Sequence, residues 1–247
     1  MAEQESHPTL IVADAGEFGG AALAALCQAI AGLEAPVIGL PTGQTPVPLY
    51  REMALQSFVF PPRTQLFAID EYCTNDSQPG TNAAFFRRHL PTPGNPPTRT
   101  PRHDAANPDI EIAGFCREIA AAGGFDVAVL GIGMNGHIAF NEPGSGPTSA
   151  CRVVTLSPET RVQVSREWDT APTSGMTVGL AQILAARRLI LLARGEAKSA
   201  ILAAALEGPV SADVPASLLQ NHPALTVVCD SGSSSRFRKD FRTQAQA

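Results

Sequence analysis

A glycine-rich segment at residues 131–145, GIGMNGHIAFNEPGS, carries one histidine and one glutamate, His137 and Glu142. It follows an apolar run at residues 125–130 that is typical of a buried strand. Because open α/β sheets bind ligands at the carboxyl ends of their strands, we expect both side chains to project into a cleft. A histidine held by a carboxylate and by the amide of Asn135 can transfer a proton at neutral pH. The segment therefore predicts general acid–base chemistry without a metal, since no further His or Cys lies nearby.

Two adjacent carboxylates, Asp70 and Glu71, end another apolar run in the sequence FAIDEYC. Successive strand residues point to opposite faces, so only one carboxylate can face a given cleft. We take Asp70 as the candidate general base. The alternative is a solvated strand end with a carboxylate that caps the following turn.

The segment LPTGQTP at residues 40–46 is a candidate phosphate site. Gly43 permits a tight turn, and Thr45 followed by Pro46 is typical of an N-cap and a first-turn proline. Backbone N–H groups and hydroxyls at such a helix start can bind phosphate. An ordinary capped helix has the same pattern, and the lysine of a P-loop is missing.

Two basic residues lie close to predicted strand ends, Arg161 in SPETRVQ and Lys198 in RGEAKSA. Either could bind a phosphate, Arg161 through its forked guanidinium and Lys198 as a point charge. By themselves, both are more typical of solvated surface charges, and only their positions near strand ends favour a binding role.

These candidates need a scaffold, and the apolar patterning predicts one in which strands and helices alternate. We expect a single α/β domain at residues 1–230: a doubly wound, mostly parallel, Rossmann-like sheet with helices on both faces. The proline-rich segment 91–108 is predicted to be a surface connection, and residues 231–247 a polar, basic tail that is frayed or disordered. The predicted strands are 10–13, 37–40, 66–69, 127–130, 152–156, 189–193 and 225–229, and the predicted helices are 21–31, 47–54, 82–90, 110–121 and 197–206.

The composition narrows the class of partner. A net charge of −5 over 247 residues gives no basic footprint for nucleic acid or an anionic membrane, which favours a small-molecule substrate. Five cysteines are widely spread and lack zinc-like spacing, so we expect reduced thiols in a cytoplasmic protein. No export signal or membrane span is predicted. Whether the chain is a monomer or a homo-oligomer is left open.

Between about residues 10 and 230 the chain resembles the glucosamine-6-phosphate deaminase (isomerase) family, within a larger group that includes 6-phosphogluconolactonases. The resemblance rests on collinear motifs: LPTGQTP, IDEY, GIGMNGHIAFNEPG, TRV, MTVGL, GEAK and VPASLLQ. Lactonases share the motif Asp-Glu-Arg, which is similar to residues 70–72 of this chain except that Tyr72 replaces the arginine. They also lack the Asn-Glu-Pro of residues 141–143. The deaminase branch is indicated.

The resemblance implies a cofactor-free conversion of glucosamine 6-phosphate to fructose 6-phosphate and ammonia. His137, oriented by Glu142 and Asn135, would open the sugar ring. Asp70 would take the proton from C2 and return it at C1, through an enolamine that loses ammonia. The substrate phosphate would be bound by a larger set of residues: Thr42, Gly43, Gln44, Thr45, Arg161 and Lys198.

The sequence departs from the family pattern at two positions. Many relatives have aspartate where this chain has Asn135; an amide keeps the hydrogen bond but supplies no charge to the histidine. The allosterically activated hexameric enzymes that this chain resembles share a lysine at the position of Val154. Because that lysine is missing here, we expect no activator site.

Three other functions fit parts of the pattern. Galactosamine-6-phosphate deaminase differs only in the C4 epimer of its substrate, and 6-phosphogluconolactonase shares the fold. A sugar-phosphate sensor of a transcriptional regulator would need a DNA-binding module, which the roughly ten residues before the first strand cannot contain.

Overall fold

Most of the described chain is organised around one parallel sheet. The computed structural model describes residues 8–75, 80–90, 93–164, 168 and 171–238. Seven strands of this part pair in parallel in the order β1-β10-β9-β6-β2-β3-β5. They are β1 (Thr9–Ala13), β2 (Val37–Leu40), β3 (Gln65–Ala68), β5 (Thr98–Arg99), β6 (Val127–Gly131), β9 (Arg188–Ala193) and β10 (Leu225–Asp230).

Helices cover both faces of this sheet. The described chain also contains two 3₁₀ helices, Glu196–Lys198 and Pro215–Asn221. Among the described residues, no helix is both apolar enough and long enough to cross a bilayer. The α-helices are α1 (Phe18–Ile30), α2 (Val47–Leu55), α3 (Asn82–His89), α4 (Pro108–Ala121), α5 (Pro158–Val164), α6 (Leu180–Leu184) and α7 (Ser199–Glu207).

The side chains of the central strands alternate between two hydrophobic cores. In β6, Val127 and Val129 pack with α1 and α2, whereas Ala128 and Leu130 pack with α4, α6 and α7. Strands buried on both faces read as continuous apolar runs, because each side chain has a helix layer to pack against. The predicted doubly wound α/β fold is confirmed.

A second, antiparallel sheet lies beside the first, with β8 (Ser174–Thr177) between β4 (Asp70–Tyr72) and β7 (Arg152–Thr155). The predicted strand at 152–156 therefore exists but is not part of the parallel sheet. The strands β4 and β8 escape prediction because three or four residues, one of them a glycine in β8, give no periodic pattern.

The proline-rich segment behaves largely as expected. Its described part contains the two-residue edge strand β5, which pairs with β3 and lies at the end of the sheet. A proline-rich chain can add a strand there because an edge strand needs hydrogen bonds on one side only. Asn95 fixes the segment to the domain by accepting from the Phe60 N–H at 2.8 Å and donating to the Phe58 carbonyl at 3.0 Å.

The described part of the predicted tail, residues 231–238, forms turns that pack on the domain. The hydroxyl of Ser233, which is fully buried, donates to the carboxylate of Asp230 at 2.8 Å. Phe237 packs against the core beside α7. Residues 239–247 lie outside the described chain.

The cysteine prediction is wrong for one pair. Cys116 on α4 and Cys151, just before β7, form a disulfide, whereas Cys27, Cys73 and Cys229 are free. The two bonded residues are 35 positions apart and have Cα atoms 6.6 Å apart. Their proximity results from the packing of α4 against the second sheet, for which cysteine spacing in the sequence gives no signal.

Candidate active site

The candidate site lies at the carboxyl ends of four neighbouring strands. β3, β2, β6 and β9 are adjacent in the sheet, and each is followed by one of the segments singled out above. Parallel strands end at the same edge, so four segments far apart in sequence meet there. They surround a cavity of about 550 Å³ whose lining includes Thr42, Asp70, His137 and Lys198.

The loop after β2 forms one wall of this cavity with Thr42, Gly43, Gln44 and Thr45. Gly43 has φ +88°, a backbone conformation that residues other than glycine rarely adopt. The predicted helix cap is displaced by one residue: α2 begins at Val47, and Pro46 rather than Thr45 occupies the N-cap position without a side-chain cap. Thr45 is therefore not used by the helix and stays in the cavity wall.

Buried Tyr50 holds the start of the loop after β2 in place. Its hydroxyl donates to the Pro41 carbonyl at 2.6 Å, and its ring packs edge-on against Phe85 and Phe86 of α3. The loop is thus attached both to α2 and to α3.

Cationic side chains lie around the loop. Lys198 is half-buried and donates from Nζ to the Ile132 carbonyl at 2.7 Å, and burial lowers the pKa of its ammonium. Arg194 and Arg88 also line the cavity. Arg161, a predicted phosphate ligand, is exposed on α5 and is not among the lining residues. Its neighbour Thr160 faces the cavity, and one residue along a helix turns the side chain by about 100°.

The two adjacent carboxylates have separate environments, as the alternation of strand residues requires. Asp70 lines the cavity. Glu71 is fully buried and accepts hydrogen bonds of 2.8 Å from the backbone N–H groups of Tyr72, Asn82 and Ala83. Glu71 thus anchors the start of α3, and Asp70 faces the space where a substrate would bind. The solvated strand end of the alternative prediction is not found, because both carboxylates are buried.

The carboxyl group of Asp70 is poised to exchange a proton near neutral pH. Burial, and then the charge of Glu71, raise its pKa to about 7, while a hydrogen bond from Asn82 acts in the opposite direction. A general base works best when its pKa lies near the operating pH.

His137 is held by Glu142 and Asn135. One Glu142 oxygen accepts from the Asn135 amide at 2.7 Å and lies 3.3 Å from His137 Nδ1. The Asn135 oxygen accepts from the backbone N–H of His137 at 3.1 Å. The arrangement fixes the orientation of the imidazole, as expected for this loop.

A third donor, Thr160 of α5, completes the environment of Glu142. Its hydroxyl donates to the second carboxylate oxygen at 2.7 Å. Burial of Glu142 opposes ionisation, but the interactions with His137, Thr160 and Asn135 prevail and lower its pKa to about 2. Glu142 is therefore a carboxylate at any pH at which the protein would work.

Gly133 makes room for the histidine. A Cβ atom at this position would lie 2.5 Å from His137 Nε2, closer than real side-chain contacts allow. The glycine in GIGMNGH thus permits the imidazole to pack directly on the backbone of its own loop.

Sequence reasoning missed several residues of the site, among them Asn82, Arg88, Thr160 and Arg194. Arg194 lies directly after a predicted strand, so its position alone could have suggested it. Thr160 and Asn82 gave no such signal, since their partners are distant in sequence. The candidates that the structure brings to one cavity are Thr42, Gly43, Gln44, Thr45, Asp70, His137 and Lys198, with Asn135 and Glu142 directly behind His137.

Chemically, the cavity offers an anion-binding loop with cations at one side and two proton-transfer groups at the other. This combination suits a phosphorylated substrate that undergoes proton transfer. It requires neither a redox group nor a covalent nucleophile.

Comparison with known proteins agrees with this chemistry. Residues 15–228 match the family model described as glucosamine-6-phosphate isomerases/6-phosphogluconolactonase. A glucosamine-6-phosphate deaminase of Streptomyces avermitilis is 37% identical over 240 residues, covering 93% of this chain and 92% of that protein. The deaminase of Lactobacillus delbrueckii subsp. bulgaricus is 37% identical over 231 residues, covering 92% and 97%.

Solved structures show the same fold. A monomeric glucosamine-6-phosphate deaminase superimposes with a TM-score of 0.85 at 28% identity, covering 92% of this chain and 99% of that one. A 6-phosphogluconolactonase from Trypanosoma cruzi has a TM-score of 0.75 at 21% identity, covering 97% and 100%. On the family match and the two deaminase relatives, the chain belongs to the glucosamine-6-phosphate isomerase/6-phosphogluconolactonase family.

Proposed function

We propose that this protein is a glucosamine-6-phosphate deaminase, which converts glucosamine 6-phosphate and water to fructose 6-phosphate and ammonia. Its relatives over most of the chain carry that name. The observation that carries the proposal is that Asp70 and His137 line one cavity together with the loop of residues 42–45. A hexose phosphate held at the loop can reach both groups.

The phosphate binds at the loop after β2. The backbone N–H groups of residues 42–45 surround it, and Lys198 and Arg194 supply positive charge from the segment after β9. Arg161 was the sequence-based choice for this role; we assign it instead to Arg194, because Arg194 lines the cavity.

His137 opens the pyranose ring. With Nδ1 directed at Glu142, Nε2 is the nitrogen that faces the substrate. It carries a proton from the C1 hydroxyl to the ring oxygen, while the C1–O5 bond breaks and C1 becomes an aldehyde. Glu142 stabilises the imidazolium that forms in passing.

Asp70 then moves the proton that changes the aldose to a ketose. Its carboxylate removes the C2 proton, the electron pair forms a C1=C2 bond, and the aldehyde oxygen takes a proton, which gives an enolamine. Return of the proton to C1 leaves an imine at C2. Water adds to this carbon and ammonia leaves, so every step is proton transfer or hydration and uses no cofactor.

We propose the cytoplasm as the site of this reaction. Three of the five cysteines are free thiols, which fits a reducing compartment. Thiol labelling in freshly lysed cells tests this: Cys27, Cys73 and Cys229 should all be labelled once the protein is denatured, and oxidation of any of the three in the cell would contradict the proposal.

The experiment that tests the function compares three substrates with the purified protein. We expect ammonia release from glucosamine 6-phosphate, at least about tenfold slower release from galactosamine 6-phosphate, and no acid release from 6-phosphogluconolactone. Asp70→Asn serves as the inactive control. Preference for the galacto epimer would overturn the substrate, and lactone hydrolysis without ammonia release would overturn the reaction.

A further inference from the structure

Asn82, the first residue of α3, connects two parts of the site that the sequence treats separately. Its Oδ1 accepts from the Thr42 hydroxyl at 3.0 Å. Its Nδ2 donates to the Asp70 carboxylate at 2.6 Å and to the Asp70 carbonyl at 2.9 Å. One buried amide therefore spans the phosphate loop and the candidate base.

The side chain of Asn82 does not serve the helix on which it lies. Thr81 caps α3 by accepting from the Ala84 N–H at 3.2 Å. Glu71 binds the backbone N–H groups of Asn82 and Ala83. Since the helix start is satisfied without the amide, the amide is available to fix Asp70 and Thr42 in place.

An asparagine suits this position because its two ends differ. The Nδ2 end donates to a carboxylate, which favours the ionised form of that carboxylate, and the Oδ1 end accepts from a hydroxyl. A hydroxyl that donates to Asn82 turns its remaining lone pairs, rather than its hydrogen, towards the cavity. The phosphate must then be bound by the backbone N–H groups of the loop and by the cations.

We propose that Asn82 is a positioning residue that couples the phosphate loop to the base, so that a substrate anchored by its phosphate presents C2 to a correctly oriented Asp70. This rests on the proposed function. Small displacements between an anchored substrate and a catalytic group cost rate rather than affinity, so the coupling acts on kcat.

Other charged and titratable groups also face Asp70 and must be held constant in the test. Glu71 is the neighbour of Asp70 on β4, and its charge acts on Asp70. Tyr50 of α2 also interacts with Asp70 electrostatically. The remaining groups share the cavity: His137, Lys198, Arg194 and Arg88.

The test replaces Asn82 by leucine, which has nearly the same shape without the hydrogen bonds. We expect kcat for glucosamine 6-phosphate to fall about 10- to 100-fold, the loss typical of a hydrogen bond to a charged group, with KM changed less than threefold. The acidic limb of the pH–rate profile should move to higher pH, because the lost hydrogen bond favours the ionised form of Asp70.

A second readout does not depend on turnover. Carbon-13 NMR of aspartate-labelled protein, with the Asp70 signal assigned by its loss in Asp70→Asn, should report a higher Asp70 pKa in Asn82→Leu than in the wild type. If the protein does not release ammonia, this titration still tests the contact between Asn82 and Asp70. The two proposals can therefore fail separately.

Two further variants keep the test sharp. Asn82→Asp is isosteric and, if Asn82→Leu does not fold, takes its place with the same expected direction of change. Asn95→Leu removes an amide that also makes two backbone contacts but lies in the 91–108 segment, so its pH profile and kcat should match the wild type. An unchanged Asp70 pKa and an unchanged kcat in a folded Asn82 variant would overturn the inference.

Discussion

Asp70 and Glu71 are consecutive residues of β4, so their carboxylates point to opposite faces of the strand. Glu71 is surrounded by three backbone donors, whereas Asp70 meets one side-chain donor and the negative charge of its neighbour. A buried carboxylate with few donors takes up a proton at a higher pH than one in water. The pair thus divides structure and chemistry between neighbouring residues.

The burial of Asp70 predicts a pH-dependent cost in stability. Its pKa is raised from 3.8 to about 7 on folding, so its contribution to stability is complete below about pH 4 and is lost as the pH rises through 7. At pH 8, the free energy of unfolding of Asp70→Asn should therefore exceed that of the wild type by about 1–3 kcal/mol. At pH 4, the two free energies should be about equal. Urea denaturation at the two pH values measures this.

Asp230 offers the matched control with the opposite sign. It is also buried, but hydrogen bonds from Ser233 and Gly195 outweigh that burial and lower its pKa. Asp230→Asn should destabilise the protein at neutral pH. Equal effects of the two substitutions, or a less stable Asp70→Asn at pH 8, would contradict this account of Asp70.

At the scale of the elements, the long apolar strands and helices could be predicted because their pattern is local. The strand at 127–130 and the helix at 110–121 differ from β6 and α4 by only one or two residues at one end. The second sheet could not be predicted, since its strands have only three or four residues and the residues that pair between β4 and β8 lie more than 100 positions apart. Arg161 is not among the residues that line the cavity for a related reason: a loop motif does not specify which face of the short helix that follows is turned towards the site.

The disulfide joins two of these elements, and its removal gives an element-scale prediction. It ties α4 to the residue that precedes Arg152, whose guanidinium donates to the buried Asn141 at 2.9 Å. Because the bond closes a loop of 35 residues, its reduction should lower the free energy of unfolding by about 2–4 kcal/mol. Denaturation with and without dithiothreitol measures the loss.

The double variant Cys116→Ser/Cys151→Ser provides the control for this prediction. It should match the reduced wild type and should not respond to dithiothreitol. If the reductant leaves the unfolding of the wild type unchanged, the bond does not stabilise the fold.

For the whole molecule, the parallel order β3-β2-β6-β9 accounts for the site. It brings together Asp70, the loop of residues 42–45, the loop with His137 and the cations after β9, although they span more than 150 residues. The sequence predicted these segments because each follows an apolar strand. It also predicted that Asn135 and Glu142 lie beside His137, but it did not predict Asn82 and Thr160, which act through contacts that only the folded chain creates.

The cavity also explains how a protein with net charge −5 can bind an anion. Lys198, Arg194 and Arg88 concentrate positive charge around one opening. Local charge, not the total, governs the binding of a small phosphorylated ligand.

The central claim is that Asp70 moves the C2 proton of a sugar held in this cavity, and hydrogen exchange in deuterated water tests it most directly. With the wild type, we predict exchange at C2 and fructose 6-phosphate with partial deuterium at C1, because the proton held by Asp70 exchanges with the solvent in competition with its return to C1. With Asp70→Asn, we predict no exchange at C2 and nearly unchanged binding of the phosphorylated sugar. Exchange at C2 that continues at the wild-type rate in Asp70→Asn would contradict the account.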